Sequence, residues 1–213
     1  MILAQTIIKR QIGENEFSGS ESCRECHENF YQLWSPSYHG QAMMPINADF
    51  IQKHKLPNSK PIDVEGHGFT VEFKDSTAVM FEHDGDKVVE SYDLLWAMGG
   101  HNVYCFLTPF EKGKLQNAPL AYDAQRGEWF NYPNAGIRHF MDGSPDDEAL
   151  PWKDAMFAFN TGCYSCHISQ LSTNFDLETE TYQTTWREAG INCETCHGPA
   201  GEHVKIFQNL KEG

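Results

Sequence analysis

Three copies of one five-residue pattern constrain this 213-residue chain more than anything else in it. Cys23-x-x-Cys26-His27, Cys163-x-x-Cys166-His167 and Cys193-x-x-Cys196-His197 share one spacing and one trailing histidine, and they leave Cys105 as the single unpaired cysteine of seven. Two thiols three positions apart reach the two vinyl groups on one porphyrin edge and form thioethers. The next residue then sits over the iron and offers an imidazole. Thiolate redox chemistry and zinc binding need the cysteine pair but have no use for histidine at that fixed place. With 10 histidines in 213 residues, three such coincidences arise on the order of once in ten thousand. A zinc ribbon from Cys163/Cys166 and Cys193/Cys196 has tolerable spacing, but it leaves Cys23 and Cys26 over and all three histidines unexplained. A disulfide scaffold suits shorter, cysteine-denser chains. The expectation is three covalently bound haem c groups, held by Cys23, Cys26, Cys163, Cys166, Cys193 and Cys196. His27, His167 and His197 are then the proximal iron ligands, and electron transfer is the work.

A formal net charge of −14 and a pI near 5.0 argue against nucleic acid or an anionic membrane as partner. They favour a redox partner with a basic or neutral docking face, either another cytochrome or a quinol-linked complex. No apolar run is long enough to span a bilayer. Covalent haem attachment belongs to the bacterial periplasm and equivalent oxidising compartments, so a periplasmic or extracellular location is expected. The first ten residues lack the order of a secretory signal. Either the signal has been removed or Met1 is an added start.

Along the chain, residues 1–20 read as a loose polar lead-in. Phe30, Tyr31 and Trp34 recur at helical spacing after the first motif. Pro36 breaks that helix, and Tyr38 to Met43 restart it. Residues 62–110 alternate and are β-branched or aromatic, with a hairpin turn at Asp84-Gly85-Asp86; two or three antiparallel strands are expected. A further strand over 102–107 places His101, Val103 and Cys105 on one face. Residues 111–150 are rich in Pro, Gly, Asn and Asp and read as loop. Helix is expected to return over 152–213, first at 152–160 and last at 201–211. The fold class expected is α+β, a mainly helical and irregular multihaem core in one domain spanning 1–213. A small antiparallel β-rich insertion at about 62–110 and a loop-rich segment at about 111–150 interrupt that core.

Seven histidines remain. His203 follows His197 by six residues through Gly-Pro-Ala-Gly, too short a path around the porphyrin that His197 already faces. As an iron ligand it must serve a neighbouring haem, which requires two haems packed together. His39, after the Pro36 break, is the other strong distal candidate. His101, after Gly99-Gly100, and His139, near the second motif, are weaker ones. His54, His67 and His83 sit among charged residues and read as solvated.

The stretch SCRECHENFYQLWSPSYHGQAM resembles the opening of multihaem cytochromes of the cytochrome c-554 type, where a first haem motif precedes an aromatic helix and a Ser-x-x-His or Ser-x-His ligand. The stretch GCYSCHISQL…NCETCHGPAGEHV is similar to the closely spaced second and third motifs of that family. FLTPFEKGKLQNAPLAYDAQRGEWF resembles an insert in related trihaem cytochromes with tetratricopeptide tails. The resemblance implies that His203 caps the first haem and His39 a haem further downstream. The family's fourth motif is absent here, and Pro151-Trp152 stands where the tail-bearing relatives have His-Trp. From the abrupt end at Lys211-Glu212-Gly213, a fragment or a short member is expected. The resemblance also implies an open or weakly held distal face on the haem of His167, with His101 and His139 as rival ligands. An open iron would suit an oxidoreductase acting on a small nitrogen or sulfur compound. A third reading is an electron-wiring subunit of a larger complex.

Overall fold

The computed structural model describes residues 16–136, 138 and 147–212. It begins with α1 (Ser20–Trp34), which carries the first motif and stops before Pro36, where the ring cannot continue the helical ladder. The backbone leaves helical geometry at His27 (φ −120°, ψ 40°), so the attachment turn and the aromatic turn are two short helices end to end. The expected restart at Tyr38 does not occur. Residues 38–42 make turns, and Met43–Pro45 is strand β1, because it finds an antiparallel partner in β6 (Trp96–Gly99).

After α2 (Ala48–His54), alternation takes over. Strands β2 (Ile62–Val64), β3 (His67–Lys74), β4 (Thr77–Asp84) and β5 (Lys87–Leu94) form an antiparallel sheet in that order. A second sheet has the order β1-β6-β7-β9-β10, with β8 beside β7; β7 spans Val103–Pro109, β8 Leu115–Asn117, β9 Leu120–Asp123 and β10 Glu128–Asn131. A short helix, α3 (Tyr132–Ala135), follows β10. The segment read as loop therefore supplies three strands. They are only three or four residues long and lie between turn residues, so they carry too few positions for a period to show. Pairing with β7 makes them strands.

The mainly helical core expected from the sequence is corrected by the same finding: strand outweighs helix, 34% against 27%, and the fold is a sheet-rich α+β arrangement. The helix expected over 152–160 is likewise replaced by a single 3₁₀ turn (Ala155–Phe157) and extended chain, with the Phe159 amide donating to the Leu115 carbonyl. The rest of the chain is mostly irregular: α4 (Tyr164–His167), a β11–β12 ladder (Ile168–Ser169 with Glu188–Ala189), α5 (Cys193–His197) and α6 (Gly201–Glu212).

β7 separates two cores. Tyr104 and Phe106 face Phe69, Val71, Met80 and Leu94 of the other sheet, with Trp152 closing that cluster. Cys105 and Leu107, on the alternate face, pack with Met43, Met98, Phe159 and Ile168, and here Cys163 and Tyr164 of the second motif join. Each fully buried Phe or Met contributes about 1.5–3 kcal/mol. The second motif is thereby anchored to the back of a sheet that the rest of the chain already stabilises.

Candidate functional site

The first and third motifs are stitched together by a carboxylate. Glu194, inside the third motif and 3% exposed, accepts backbone N–H bonds from Ser18, Gly19 and Ala200, each at 2.8 Å. Bonds of this charged kind contribute about 1.5–3 kcal/mol each, which offsets the cost of burying the charge. Glu188 adds a second stitch, accepting from the Ser20 amide at 2.6 Å and the Ser20 hydroxyl at 2.8 Å. Residues 16–20 are thus not a loose lead-in; residues 1–15 lie outside the described ones. Sequence reasoning missed Glu194, since a glutamate between two motif cysteines looks solvent-facing until its distant N–H donors are known.

The second and third motifs are joined by a polar network. Ser169 donates its hydroxyl to the Gly190 carbonyl at 2.9 Å and accepts the Asn192 amide at 2.8 Å. Asn192, 2% exposed, caps α5 by accepting the Thr195 amide at 2.9 Å and donates to the Gln170 side chain at 2.9 Å. The third motif is the hub that touches both others.

Two of the motif thiols sit in surroundings unlike those of reactive redox cysteines. Burial first, then nearby Cys193 and Glu194, push the Cys23 thiol up. Burial, then Cys166, raises Cys163. Reactive redox cysteines have lowered values instead. Cys105 is pushed up to about 12, by burial and then by Cys163. It behaves as a small apolar side chain beside the second motif.

A cradle lies between α1 and α6, lined by Cys23, Cys26, His27, His203, Val204 and Phe207. The imidazoles of His27 and His203 both line it, with centroids 6.3 Å apart and planes within 18°. Two metal–nitrogen bonds of about 2 Å, plus about 1.2 Å from each nitrogen to its ring centre, put a trans imidazole pair roughly 6.3–6.4 Å apart. The observed spacing of the two rings matches that distance. Around the cradle, Phe30 and Leu33 (each 74% exposed), Ile206, Phe207 and Leu210 leave apolar surface uncovered. A soluble chain rarely does so unless something packs there. This cradle fits a haem.

In the second motif, the His167 Nδ1 lies 2.6 Å from the Ala42 carbonyl oxygen. The carbonyl can only accept, so Nδ1 carries the proton and Nε2 is left with a free lone pair, able to take a metal. His167 borders a cavity of about 280 Å³ whose wall also includes Tyr38 and His101. His197 is exposed at the end of α5. His39 is exposed as well, and its carbonyl accepts the Ile191 amide at 2.8 Å, two residues before Cys193. His139 lies outside the described residues. The three histidines read as solvated are engaged. His54 Nδ1 lies 2.8 Å from the Tyr104 hydroxyl, with its titration lowered by burial and then by Lys53. His83 bonds Thr70 at 2.9 Å, and His67 lies 3.3 Å from Glu82.

The family model described as cytochrome c554 and c-prime matches residues 22–72 and 145–198. Those two segments hold all three motifs, and the interval between them holds β4 to β10. No curated protein and no solved structure matches the chain. The family is one of covalent haem c and of electron transfer. With the motifs, the cradle and the matched segments in agreement, the chain is a c-type cytochrome of the c554 type.

Proposed function

We propose that this chain carries three haem c groups and passes electrons through them to a redox partner, in the periplasm or at the cell surface. The single observation that carries the reading is the His27–His203 pair, two near-parallel imidazoles at 6.3 Å beside Cys23 and Cys26. Bound there, the haem would supply a one-electron iron couple. The protein's part is to set axial ligands, burial and second-shell hydrogen bonds, the levers that tune such a couple.

Each residue has a place in this reading. Cys23/Cys26, Cys163/Cys166 and Cys193/Cys196 are the attachment pairs, and His27, His167 and His197 the proximal ligands. His203 caps the first haem. His39 caps the third, a role supported by the hydrogen bond that ties its backbone to the approach of the third motif. The Glu194 and Asn192 stitches bring the three attachment helices into one cluster, which is what hopping between haems needs. Among the described residues no helix is long and apolar enough to cross a membrane.

Intact mass of the purified protein tests the count. The expected value exceeds the polypeptide by three haem masses, and the colour stays with the protein on acid–acetone extraction. An excess of two haems or fewer overturns the trihaem reading.

A further inference from the structure

The cavity beside His167 has a second imidazole on its wall, and we infer that His101 is the ligand that closes the second haem. This rests on the trihaem reading and deepens it, because it decides whether that iron is free to bind a small molecule.

The argument starts from how the hairpin is held. His101 sits in the turn between β6 and β7, after Gly99 (φ 84°) and Gly100 (φ 116°). A Cβ on Gly100 would lie 2.9 Å from the Tyr104 ring, so the turn is pressed onto that ring and only glycine fits. From the other side, Gln125 Nε2 donates to the His101 carbonyl at 2.7 Å and the Ala124 amide to the Asn102 carbonyl at 2.7 Å. The tip that carries His101 is therefore fixed from below and from the side.

The hairpin is also tied to the proximal ligand. The Ala42 carbonyl that orients His167 accepts the Gly99 amide as well, at 3.0 Å. One oxygen thus holds both His167 and the strand leading to His101, so the two imidazoles keep their relation to the cavity together. The His101 ring lies against Tyr38, centroids 4.3 Å apart, and among the described residues its ring nitrogens have no hydrogen-bond partner. The aromatic shelf steadies the ring and leaves a nitrogen lone pair free to take a metal. Tyr38 and Asn102 also reach the cavity. A phenol must first lose a proton to ligate, and an amide is a poor iron ligand, whereas a neutral imidazole offers its lone pair as it stands. The same turn presents Tyr38 to the second motif and His39 to the approach of the third.

The test is the spin state of the oxidised protein and carbon monoxide binding after reduction, in the full chain loaded with haem. The expected wild type is low-spin at every haem and indifferent to carbon monoxide. His101→Ala then turns one haem in three high-spin and binds one carbon monoxide per chain. His101→Met, which restores a ligand, keeps that haem low-spin and raises its potential. A wild type already high-spin at one haem and binding carbon monoxide overturns the assignment, and makes that face a site for a small substrate. An all-low-spin wild type unchanged by His101→Ala overturns it too, by placing another ligand there. Intact mass on each variant keeps the outcomes separate, since a missing haem speaks against the trihaem reading and not against His101.

Discussion

A trans pair of axial imidazoles tolerates little error in placement, and the two rings proposed for that role, His27 and His203, come from opposite ends of the chain. His27 is delivered by the break in α1, where φ −120° turns the backbone out of the helix. His203 is delivered by the first turn of α6, beginning at Gly201, whose amide donates to the Glu16 carbonyl at 2.7 Å. Among the described residues neither ring has a polar partner, so the metal bond itself would be the strongest interaction each makes. His203→Ala should therefore leave the haem count unchanged while one haem in three becomes high-spin and shifts to higher potential. Paramagnetic resonance with a redox titration reads both effects. Three low-spin haems in that variant would remove His203 from the ligand set. The pairing itself was only partly legible: the short link from His197 says which haem His203 cannot cap, and the fold had to bring α6 against α1.

At the scale of elements, the close approach of loops matters more than the helices. Gly190, at φ 83°, leads into the third motif, donates its amide to the His167 carbonyl at 2.9 Å, and lies under the His39–Gly40 turn. A Cβ there would meet the Gly40 carbonyl oxygen at 2.6 Å and that of His39 at 2.9 Å. Gly190→Ala combines left-handed strain of about 1–2 kcal/mol with overpacking of about 1–3 kcal/mol. For a chain of this length that is a fall in Tm of roughly 4–20 °C. Gly85→Ala is the control, with a similar φ of 59° but nothing within 4 Å of its Cβ, so it should cost only about the strain. Thermal unfolding of the two variants side by side isolates the contact. Equal losses would mean that the turn does not hold the motifs together. The longer strands β3, β4 and β7 were legible because each shows alternation over seven or eight residues. β8 to β10 were not, since their identity comes from partners rather than from period.

Over the whole molecule, the charge is the property that survives averaging. A net charge of −14, before any propionates, attracts cationic partners and repels anionic ones across a Debye length. That length is about 30 Å at 0.01 M salt and about 8 Å at 0.15 M. Stopped-flow oxidation of the reduced protein by a cationic metal complex should slow on the order of tenfold between those salt concentrations, while an anionic oxidant should speed up. The same salt response for both oxidants would show that the exposed haem edges sit apart from the acidic surface.

What the sequence alone determined is the chemistry that fits inside five consecutive residues: paired cysteines and the imidazole that follows them, repeated three times. No tertiary information is needed there, because one helical turn already sets the spacing of the two thiols and the histidine. The tertiary structure decided which other histidines lie close to the motifs. A distal ligand has to come from chain that does not adjoin the motif, since a link of a few residues cannot pass around a porphyrin. That left His203, His39 and His101 to be placed by Glu194, by Gly190 and by a glycine hairpin pressed on Tyr104. It also decided the fold class, because the short strands between the first and second motifs become a sheet only when β7 is there to pair with them.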